Sequence, residues 1–593
     1  MAMKSCFLRV VFLSFVAAVS FTRAGEPEKI DWLPWSDKIF EQARAEQKYV
    51  LLDLGAGWCH WCHVMDELTY ADPTVIGLLR SKFLAVRVDQ DARPDLANRY
   101  EDYGWPATIL FHFEGHELAK RRGYLPPKTM AGLLQAIIDD PTPGPSVLPE
   151  EAIAPSAESS LTPEERSAAR EKFIAAYDAE DGGWGDAQHF LDWHALEYCL
   201  REGAAGDAKL EQMARQTLTA GLKLIDPVWG GVYQYSTDGD WDHAHFEKIM
   251  PFQAENLRVL TQAAQLWAEP KWLDAAQKIR AYLKLFLTSP DGAFYTSQDA
   301  DVVPGEHSGE YFSLNDAARR KQGVPRVDRH LYARENGLAI MGLCALHDAT
   351  GEAAVLAEAR RAAEWALAHR AMPEGGFRHD EKDEAGPYLA DTLAMGRAFL
   401  SLYHSTAERG WLEKAEQAAT FIAAKFQIPL GFASTPALPP FQPKAQVEEN
   451  IQLTRWAKSL YEHTGKSPYL QIAEHAMRFL AAPAVVASQG YGTSGILLAD
   501  RELNSEPMHL TIVGPKTAPL ARQLYVAALQ HAPAGTRLEW LDASEGPLPR
   551  ADAEYPSLPE PVAFLCKDGT CSRPMKSVAE LVAKLPGKVP PKP

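Results

Sequence analysis

Two cysteines separated by two residues are the most reactive feature of the sequence. Cys59 and Cys62 follow directly after a predominantly apolar segment, residues 49–54, that is predicted to form a buried strand. Because unpaired N–H groups at the start of a helix stabilise a thiolate, Cys59 is predicted to attack disulfides and Cys62 to resolve the mixed disulfide. A protonated His60 between them would stabilise the thiolate further. The residues predicted to lie next to the two cysteines in this site are Trp58, His60, Trp61 and His63.

Two residues outside the motif complete the predicted chemistry. Asp53 lies in the strand beneath the cysteines and is predicted to carry the proton for Cys62. Pro106 directly precedes a predicted strand at residues 107–113. A cis proline there would lie beside the sulfurs and leave a backbone edge for a peptide substrate. These residues predict a thiol–disulfide oxidoreductase that exchanges electrons with protein thiols and a redox partner protein. We expect it to need no cofactor and no metal.

The predicted elements around the motif are those of an α/β domain over residues 25–140. The predicted strands are 49–54, 83–88 and 107–113, and the predicted helices are 38–46 and 125–140. Residues 141–163 are rich in Pro, Ser, Ala and Glu, a composition typical of a linker.

The larger part of the chain, residues 164–504, has helical periodicity in long segments rich in Ala, Leu, Glu and Arg. A glycine–aromatic turn recurs between these segments at irregular intervals. The turns are Asp181-Gly-Gly-Trp, Trp229-Gly-Gly-Val-Tyr, Asp291-Gly-Ala-Phe-Tyr and Glu374-Gly-Gly-Phe. This pattern predicts six helical hairpins closed into an (α/α)6 toroid. Residues 505–593 return to a small α/β region, so the chain is multidomain.

Length, charge and the first residues restrict the function further. A chain of 593 residues is too long for one typical domain, and a net charge of −18 argues against binding nucleic acid through a basic surface. Residues 1–24 combine Lys4 and Arg9 with a short apolar run, which predicts a cleaved signal peptide. No later segment is long and apolar enough to span a bilayer. We therefore expect an exported, soluble protein, periplasmic in a Gram-negative cell.

Longer stretches resemble known families. The segments LLDLGAGWCHWC, VRVDQD and GWPATILF resemble a thioredoxin domain, and Cys59-His-Trp-Cys-His-Val-Met65 resembles the spermatogenesis-associated protein 20 family. That family joins a thioredoxin-like domain to a six-hairpin toroid similar to those of sugar epimerases and glycosidases. Further matching segments are His245–Met250, Phe294–Asp301, Glu335–Ala339 and Phe564–Cys571. The resemblance covers nearly the whole chain after residue 24 and implies the fold more strongly than an activity.

Three other interpretations of the cysteine motif stay open. Cys59-x-x-Cys62-His63 also matches a c-type haem attachment site. Cys59, His60, Cys62 and His63 are residue types that bind zinc or copper, although adjacent Cys and His ligands rarely all face one ion. In the third interpretation the thioredoxin-like domain is an inert scaffold.

The toroid carries candidates for a second activity. Carboxylates and histidines could serve acid–base chemistry on a sugar, so the alternative function is carbohydrate binding, epimerisation or glycoside hydrolysis with a structural thioredoxin-like domain. The candidate residues of a toroid cleft are His189, His245, Glu247, Lys248, Asp299, Asp301, Glu310, Asn336 and Asp391. The aromatic residues of the glycine turns that could stack on a sugar are Trp184, Tyr233, Phe294 and Tyr295. All of these side chains also have ordinary structural explanations.

Cys566 and Cys571 flank an Asp-Gly turn, which permits a small structural disulfide. A relay of electrons to the Cys59–Cys62 pair is the alternative role. Cys199 and Cys344 lie on apolar helix faces and are predicted to be buried thiols.

Overall fold

The structure is a computed structural model that describes residues 29–147, 153–382, 385–437, 439, 441–550, 553–556, 558–567 and 570–585. The predicted signal peptide, residues 1–24, lies outside the described residues. Among the described helices, none is both long and apolar enough to cross a membrane.

The N-terminal domain is a four-stranded sheet with helices on both faces. Its strands are β1 (Tyr49–Gly55), β2 (Phe83–Asp89), β3 (Ala107–Phe111) and β4 (Glu117–Arg122). Its helices are α1 (Ile39–Glu46), α2 (His60–Val64), α3 (Pro73–Lys82), α4 (Pro94–Arg99) and α5 (Pro127–Asp139). The strand order is β2-β1-β3-β4, with β1 parallel to β2 and antiparallel to β3. The sequence of β1 is mostly apolar because the strand is central and covered on both faces. The edge strand β4 is mostly polar, and for this reason the sequence did not predict it.

The helical part forms a closed ring of two layers. The inner helices are α7 (Trp193–Ala204), α9 (Met250–Trp267), α13 (Ala333–Thr350), α15 (Leu389–Thr406), α17 (Val447–Thr464) and α20 (Ser494–Leu503). Each inner helix packs on the next in this order, and α20 packs on α7, which closes the ring. The outer helices are α6 (Pro163–Ala175), α8 (Ala208–Gly221), α10 (Pro270–Phe286), α14 (Ala353–His369), α16 (Arg409–Lys425) and α18 (Ser467–Leu480). The predicted (α/α)6 toroid is therefore confirmed.

The first and last helices of the ring together form its sixth pair, since α6 packs on α20. Asp500 of α20 accepts hydrogen bonds from the Leu161 backbone N–H at 2.9 Å and from Arg166 Nε at 2.6 Å. Shorter elements fill the loops between hairpins: β5 (Tyr235–Ser236), β6 (Ala244–His245), β7 (Lys248–Ile249), β8 (Ser297–Gln298), β9 (Val327–Asp328), α11 (Gly309–Phe312), α12 (Asp316–Gln322) and α19 (Pro483–Ser488).

The recurring glycine turns connect five of the outer helices, α6, α8, α10, α14 and α16, to the next inner helix. Gln253, Asn336 and Asn450 of the inner helices each bond both the backbone N–H and C=O of a turn residue. The sequence analysis did not identify the turn at Phe432, which reads Leu430-Gly431-Phe432 and has no residue between the glycine and the aromatic residue.

The C-terminal region repeats the topology of the N-terminal domain. Its elements are β10 (His509–Val513), α21 (Pro519–His531), β11 (Arg537–Leu541), β12 (Val562–Lys567), β13 (Thr570–Cys571) and α22 (Val578–Lys584). The order β11-β10-β12-β13 has the same strand directions as β2-β1-β3-β4. The segment between β10 and α21, where the N-terminal domain has its cysteines, is Gly514-Pro-Lys-Thr-Ala518 and contains none.

The two α/β domains lie at opposite ends of the helical ring. The N-terminal domain contacts the end where the inner helices begin, for example through Asn98 and Glu449. The C-terminal domain contacts the end where they finish: Glu539 accepts from Tyr403 at 2.5 Å and lies 2.8 Å from His463. Four of the inner helices have 18 residues, so the two ends are separated by about 27 Å at 1.5 Å per residue.

Candidate functional site

The Cys59–Cys62 pair is a disulfide placed at the end of β1. Cys59 is the residue before α2, and its Sγ accepts a hydrogen bond from the Cys62 backbone N–H at 3.2 Å. On reduction this N–H would stabilise a Cys59 thiolate. Gly55 ends β1 where a Cβ would lie 3.3 Å from Cys62 Sγ, so a larger residue would crowd the sulfur. Since the two sulfurs are bonded to each other, neither is available to a haem vinyl group or a metal ion in this state.

The helical ring covers the disulfide. Cys59 is 4% exposed and packs in one apolar cluster with Trp58 and with Ile249 from β7 of the ring, while Phe252 of α9 packs against the same cluster. The Trp105–Pro106 peptide bond next to this cluster is cis, as the sequence predicts. The redox pair therefore faces the seam between the two domains.

Asp53 is buried beneath the motif and has two partners. Its carboxylate accepts from Tyr70 Oη at 3.0 Å and from Arg87 Nε at 2.8 Å. Burial raises the pKa of Asp53 above its ordinary value even though the Arg87 charge acts in the opposite direction. Arg87 also pairs with Asp66. Asp53 is thus placed as a buried acid with an elevated pKa, although its charged form is held in an ion pair.

Both histidines of the motif bond to carboxylates of the ring. His60 Nδ1 lies 2.9 and 3.0 Å from the two oxygens of Asp301, and His63 Nε2 lies 3.0 and 3.2 Å from those of Asp299. Burial alone would lower the pKa of His63, but the hydrogen bond and charge of Asp299 outweigh burial and raise it. The loop after β8 therefore holds the redox motif across the domain boundary.

Two further ring residues complete this group. Glu247 Oε1 accepts from the His60 backbone N–H at 3.3 Å, and its Oε2 lies 3.9 Å from His245 Nδ1. Burial raises the pKa of Glu247 to about 7. Burial, together with the charges of His60 and His307, lowers the pKa of His245 to about 4.

A second contact chain joins the domains through Trp58. Its Nε1 donates to Asp91 Oδ2 at 2.7 Å, and the backbone O of Asp91 lies 2.6 Å from His379 Nε2. His379 Nδ1 lies 3.0 Å from Asp391. Because both ring nitrogens face acceptors, the imidazole is held in its protonated form. Burial would lower the pKa of His379, but Asp391 raises it to about 9.

Trp61 is the exposed member of the motif. Its side chain is 41% exposed and stacks on Tyr124 of the same domain, with ring centroids 5.9 Å apart.

Of the nine toroid candidates, the structure brings four to the histidines of the redox motif, three of them by direct contact with His60 or His63 and His245 through Glu247: His245, Glu247, Asp299 and Asp301. Asp391 lies at the same end of the ring, bonded to His379 and to the Arg334 backbone N–H.

The remaining four have other roles, which corrects the sequence-based assignment. Lys248 is buried 2.8 Å from Asp226, which also pairs with Arg319. The side-chain amide of Asn336 is hydrogen-bonded to the backbone of Phe294, and His189 is buried against Trp241. Glu310 is exposed on α11.

The turn aromatics are also not available to a ligand. Trp184, Tyr233 and Phe294 are at most 5% exposed and belong to the core of the ring, because each turn folds its aromatic residue inward. Of the four proposed for stacking, Tyr295 is partly exposed but also packs against this core.

The second disulfide, Cys566–Cys571, joins β12 to β13 in the C-terminal domain. Because this domain lies at the opposite end of the ring, its disulfide is not in contact with Cys59–Cys62 of the same molecule, and the relay role stays a prediction. Cys199 and Cys344 are buried as predicted, and burial raises the pKa of both thiols.

Residues from the ring complete a site that the sequence placed in one domain. Ile249, Phe252 and His379 were missed because they are distant in sequence and ordinary in type. His307, whose ring centroid is 5.8 Å from that of His60, follows Asp301 by six residues, and this spacing was an available signal. Together the fold and site define a thioredoxin-type redox domain set on the end of a six-hairpin helical ring.

Comparisons with known proteins support this class. Residues 16–138 match the family described as Thioredox_DsbH, protein of unknown function, DUF255. Spermatogenesis-associated protein 20 of Mus musculus is 31% identical over 310 residues, which cover 46% of this chain and 39% of that protein, so the predicted resemblance is confirmed. Thus the match spans about two fifths of the length of that curated relative.

The N-terminal domain is similar to a part of a bacterial protein. Thiol:disulfide interchange protein DsbD 2 of Pseudomonas aeruginosa is 37% identical over 89 residues, covering 14% of this chain and 15% of that protein. Among solved structures, cellobiose 2-epimerase of Spirochaeta thermophila aligns with a TM-score of 0.44 and 12% identity over 58% of this chain and 98% of that chain.

Proposed function

We propose that this protein is an exported thiol–disulfide oxidoreductase whose helical ring selects the substrate. The observation that carries the proposal is the Cys59–Cys62 disulfide, placed after a central strand with a backbone N–H directed at Cys59 Sγ. Exchange with a substrate dithiol would transfer two electrons to the disulfide and convert the dithiol to a disulfide. Of the two protons that the substrate loses, one is kept by the Cys62 thiol and the other is released to solvent, so that Cys59 is left as the thiolate. The similarity to DsbD 2 supports this chemistry.

The ring residues over the disulfide support a role in selection. A substrate that reaches Cys59 must contact Ile249 and Phe252 or displace them. We propose that a peptide segment bearing the reactive cysteine enters at this seam, along the backbone edge next to Pro106, and that a separate redox protein restores the pair.

Export is proposed from residues 1–24 and places the protein in the periplasm of a Gram-negative cell, where disulfides persist. Mass spectrometry of the protein from its natural host should find a chain that begins at Gly25. A retained leader would contradict this part of the proposal.

The test of the main proposal is the reduction potential of Cys59–Cys62, measured by titration against a thiol redox buffer. The protein should carry Cys566→Ala and Cys571→Ala so that only one disulfide titrates. A reversible two-electron couple is expected, and Cys59→Ala should abolish it. A value near about −270 mV would define a reductant, and one near about −120 mV an oxidant. Absence of a reversible couple would show that the domain is a scaffold.

The second candidate function is binding or conversion of a carbohydrate at the same end of the ring. Glu448 of α17 favours it, because its side chain is 48% exposed while it lies 2.7 Å from His194 of α7. An exposed carboxylate beside a histidine suits acid–base chemistry. Cys59→Ala separates the candidates, since it would abolish thiol exchange and leave carbohydrate binding intact.

A further inference from the structure

We propose that His63, Asp299 and Asp301 bind a divalent transition-metal ion at the boundary between the redox domain and the ring. One ligand atom from each of the three side chains can be chosen so that all lie within 4.8 Å of one another. The side chains of Asp299 and Asp301 are 5% and 1% exposed. The inference is independent of the proposed redox function and uses none of the sulfur atoms.

The hydrogen bonds that hold Asp299 and Asp301 in place leave some of their carboxylate lone pairs free to bind an ion. Asp301 Oδ2 accepts from the Gly305 backbone N–H at 2.9 Å, and Asp299 Oδ1 accepts from the Asp301 backbone N–H at 3.0 Å. His60 Nδ1 faces both oxygens of Asp301. Since an ionised carboxylate has about four acceptor positions, each Asp retains room for a cation. His60 then has the position of an outer residue that orients a ligand.

A buried carboxylate oxygen without a hydrogen-bond partner lies beside the cluster. Glu247 is 3% exposed, it bonds the His60 backbone N–H through Oε1, and its Oε2 has no hydrogen-bond partner among the described residues. A buried carboxylate oxygen without a partner is costly unless a positive charge or a proton lies near it. Glu247 and Asp301 contact the same residue, His60, at its backbone N–H and at its Nδ1, so a cation bound at the cluster would also offset part of this cost.

The charges around the cluster are mainly acids and histidines. Three carboxylates lie beside four imidazoles: Asp299, Asp301, Glu247, His60, His63, His245 and His307. Arg326 is the nearby permanent cation among the described contacts. The Nε of Arg326 is 4.0 Å from Asp299, but the side chain is 60% exposed, and its Nη2 donates to the Gly57 carbonyl at 2.6 Å. It therefore does not occupy the centre of the cluster.

The donor set selects the kind of metal. One imidazole nitrogen with carboxylate oxygens suits Zn²⁺, Mn²⁺ or Fe²⁺ and disfavours Cu(I), which prefers sulfur. His63 belongs to the redox domain and both aspartates to the ring, so the ion would fasten the loop after β8 to the helix that carries Cys62.

The experiment is calorimetric titration of the full-length, oxidised and chelator-treated protein with ZnCl₂ and then with MnCl₂. We expect one ion per chain at this site. Asp299→Asn and His63→Gln should each weaken the affinity at least tenfold, and His60→Gln should weaken it about tenfold or more through loss of orientation. Bound Zn²⁺ should also raise the melting temperature of the wild type.

The matched control is His330→Gln. His330 forms a similar pair with Asp328 at 2.6 Å but is outside the cluster, so its loss should leave the affinity unchanged. If Asp299→Asn does not fold, the more conservative His63→Gln decides. The proposal is overturned if no ion binds, or if Zn²⁺ binds equally to the wild type and to His63→Gln, which would place the ion elsewhere.

Discussion

At the scale of single residues, the environment of Asp53 bears on the proposed proton transfer to the redox pair. The carboxylate is buried beneath the motif, bonded to Tyr70 and Arg87, and its pKa is raised by burial. These features fit a group that accepts and returns one proton while the disulfide opens and closes. The same features fit a structural ion pair, so the two roles must be separated by kinetics.

We predict that Asp53→Asn slows thiol–disulfide exchange roughly 10²-fold, the size typical of a lost general acid or base. The amide cannot take up a proton, so the step of the pH–rate profile that reports Asp53 should also disappear. Stopped-flow reduction of the disulfide, followed by tryptophan fluorescence between pH 5 and pH 9, measures both.

Asp66→Asn is the control for Asp53→Asn. Asp66 pairs with the same Arg87, but its side chain is 42% exposed, so its loss should change the rate little. Equal slowing by both variants would mean that the ion-pair network, and not a proton on Asp53, supports the reaction.

At the scale of elements, the ring depends on a repeated bond between an inner helix and the turn before it. Asn336 is fully buried, accepts from the Phe294 backbone N–H at 2.8 Å and donates to the Phe294 carbonyl at 3.1 Å. Gln253 and Asn450 do the same at Val232 and Phe432. This repetition explains why a side-chain amide recurs at the start of inner helices. It also gives Asn336, a predicted residue of the ligand site, a structural role.

We predict that Asn336→Ala lowers the free energy of unfolding of the ring by about 2–4 kcal/mol. The substitution leaves a buried N–H and a buried C=O unpaired and removes buried side-chain volume. Urea unfolding followed by far-ultraviolet circular dichroism measures the change. Gln135→Ala, which removes an exposed amide bonded to Asp139, should cost less than about 0.5 kcal/mol. An unchanged midpoint for Asn336→Ala would refute the role of the amide.

At the scale of the whole molecule, the redox domain and the ring are joined by charged contacts. His379 is the clearest, because the protonated ring bridges the Asp91 carbonyl of one domain and the Asp391 carboxylate of the other. Its pKa rises from 6.5 to about 9 in the folded protein. A raised folded-state pKa stabilises the protein fully below the unfolded pKa, and this stabilisation is lost as the pH rises through the folded pKa.

We therefore predict that the contribution of His379 to stability is complete below about pH 6.5 and lost above about pH 9. The change corresponds to roughly 3 kcal/mol. Denaturant unfolding of wild type and His379→Gln at pH 6 and pH 10 checks it. The difference between the two proteins should be larger at pH 6, and a difference that does not vary with pH would contradict the assignment.

The sequence by itself determined the redox motif, three of the four strands of the N-terminal sheet and the helical hairpins of the ring. These features are local, because a strand, a helix or a CxxC is encoded by neighbouring residues and their periodicity. The burial of the two free cysteines, Cys199 and Cys344, was predictable for the same reason.

Only the tertiary structure decided which polar residues belong to the site. Asp299, Asp301 and Glu247 contact His60 and His63 of the redox motif. Lys248, next to Glu247 in sequence, faces the ring core instead, because adjacent residues of an extended segment point in opposite directions. The cover of Ile249 and Phe252 over Cys59, and the separation of the two disulfides by the length of the ring, depend on how domains distant in sequence pack. No local pattern encodes that packing.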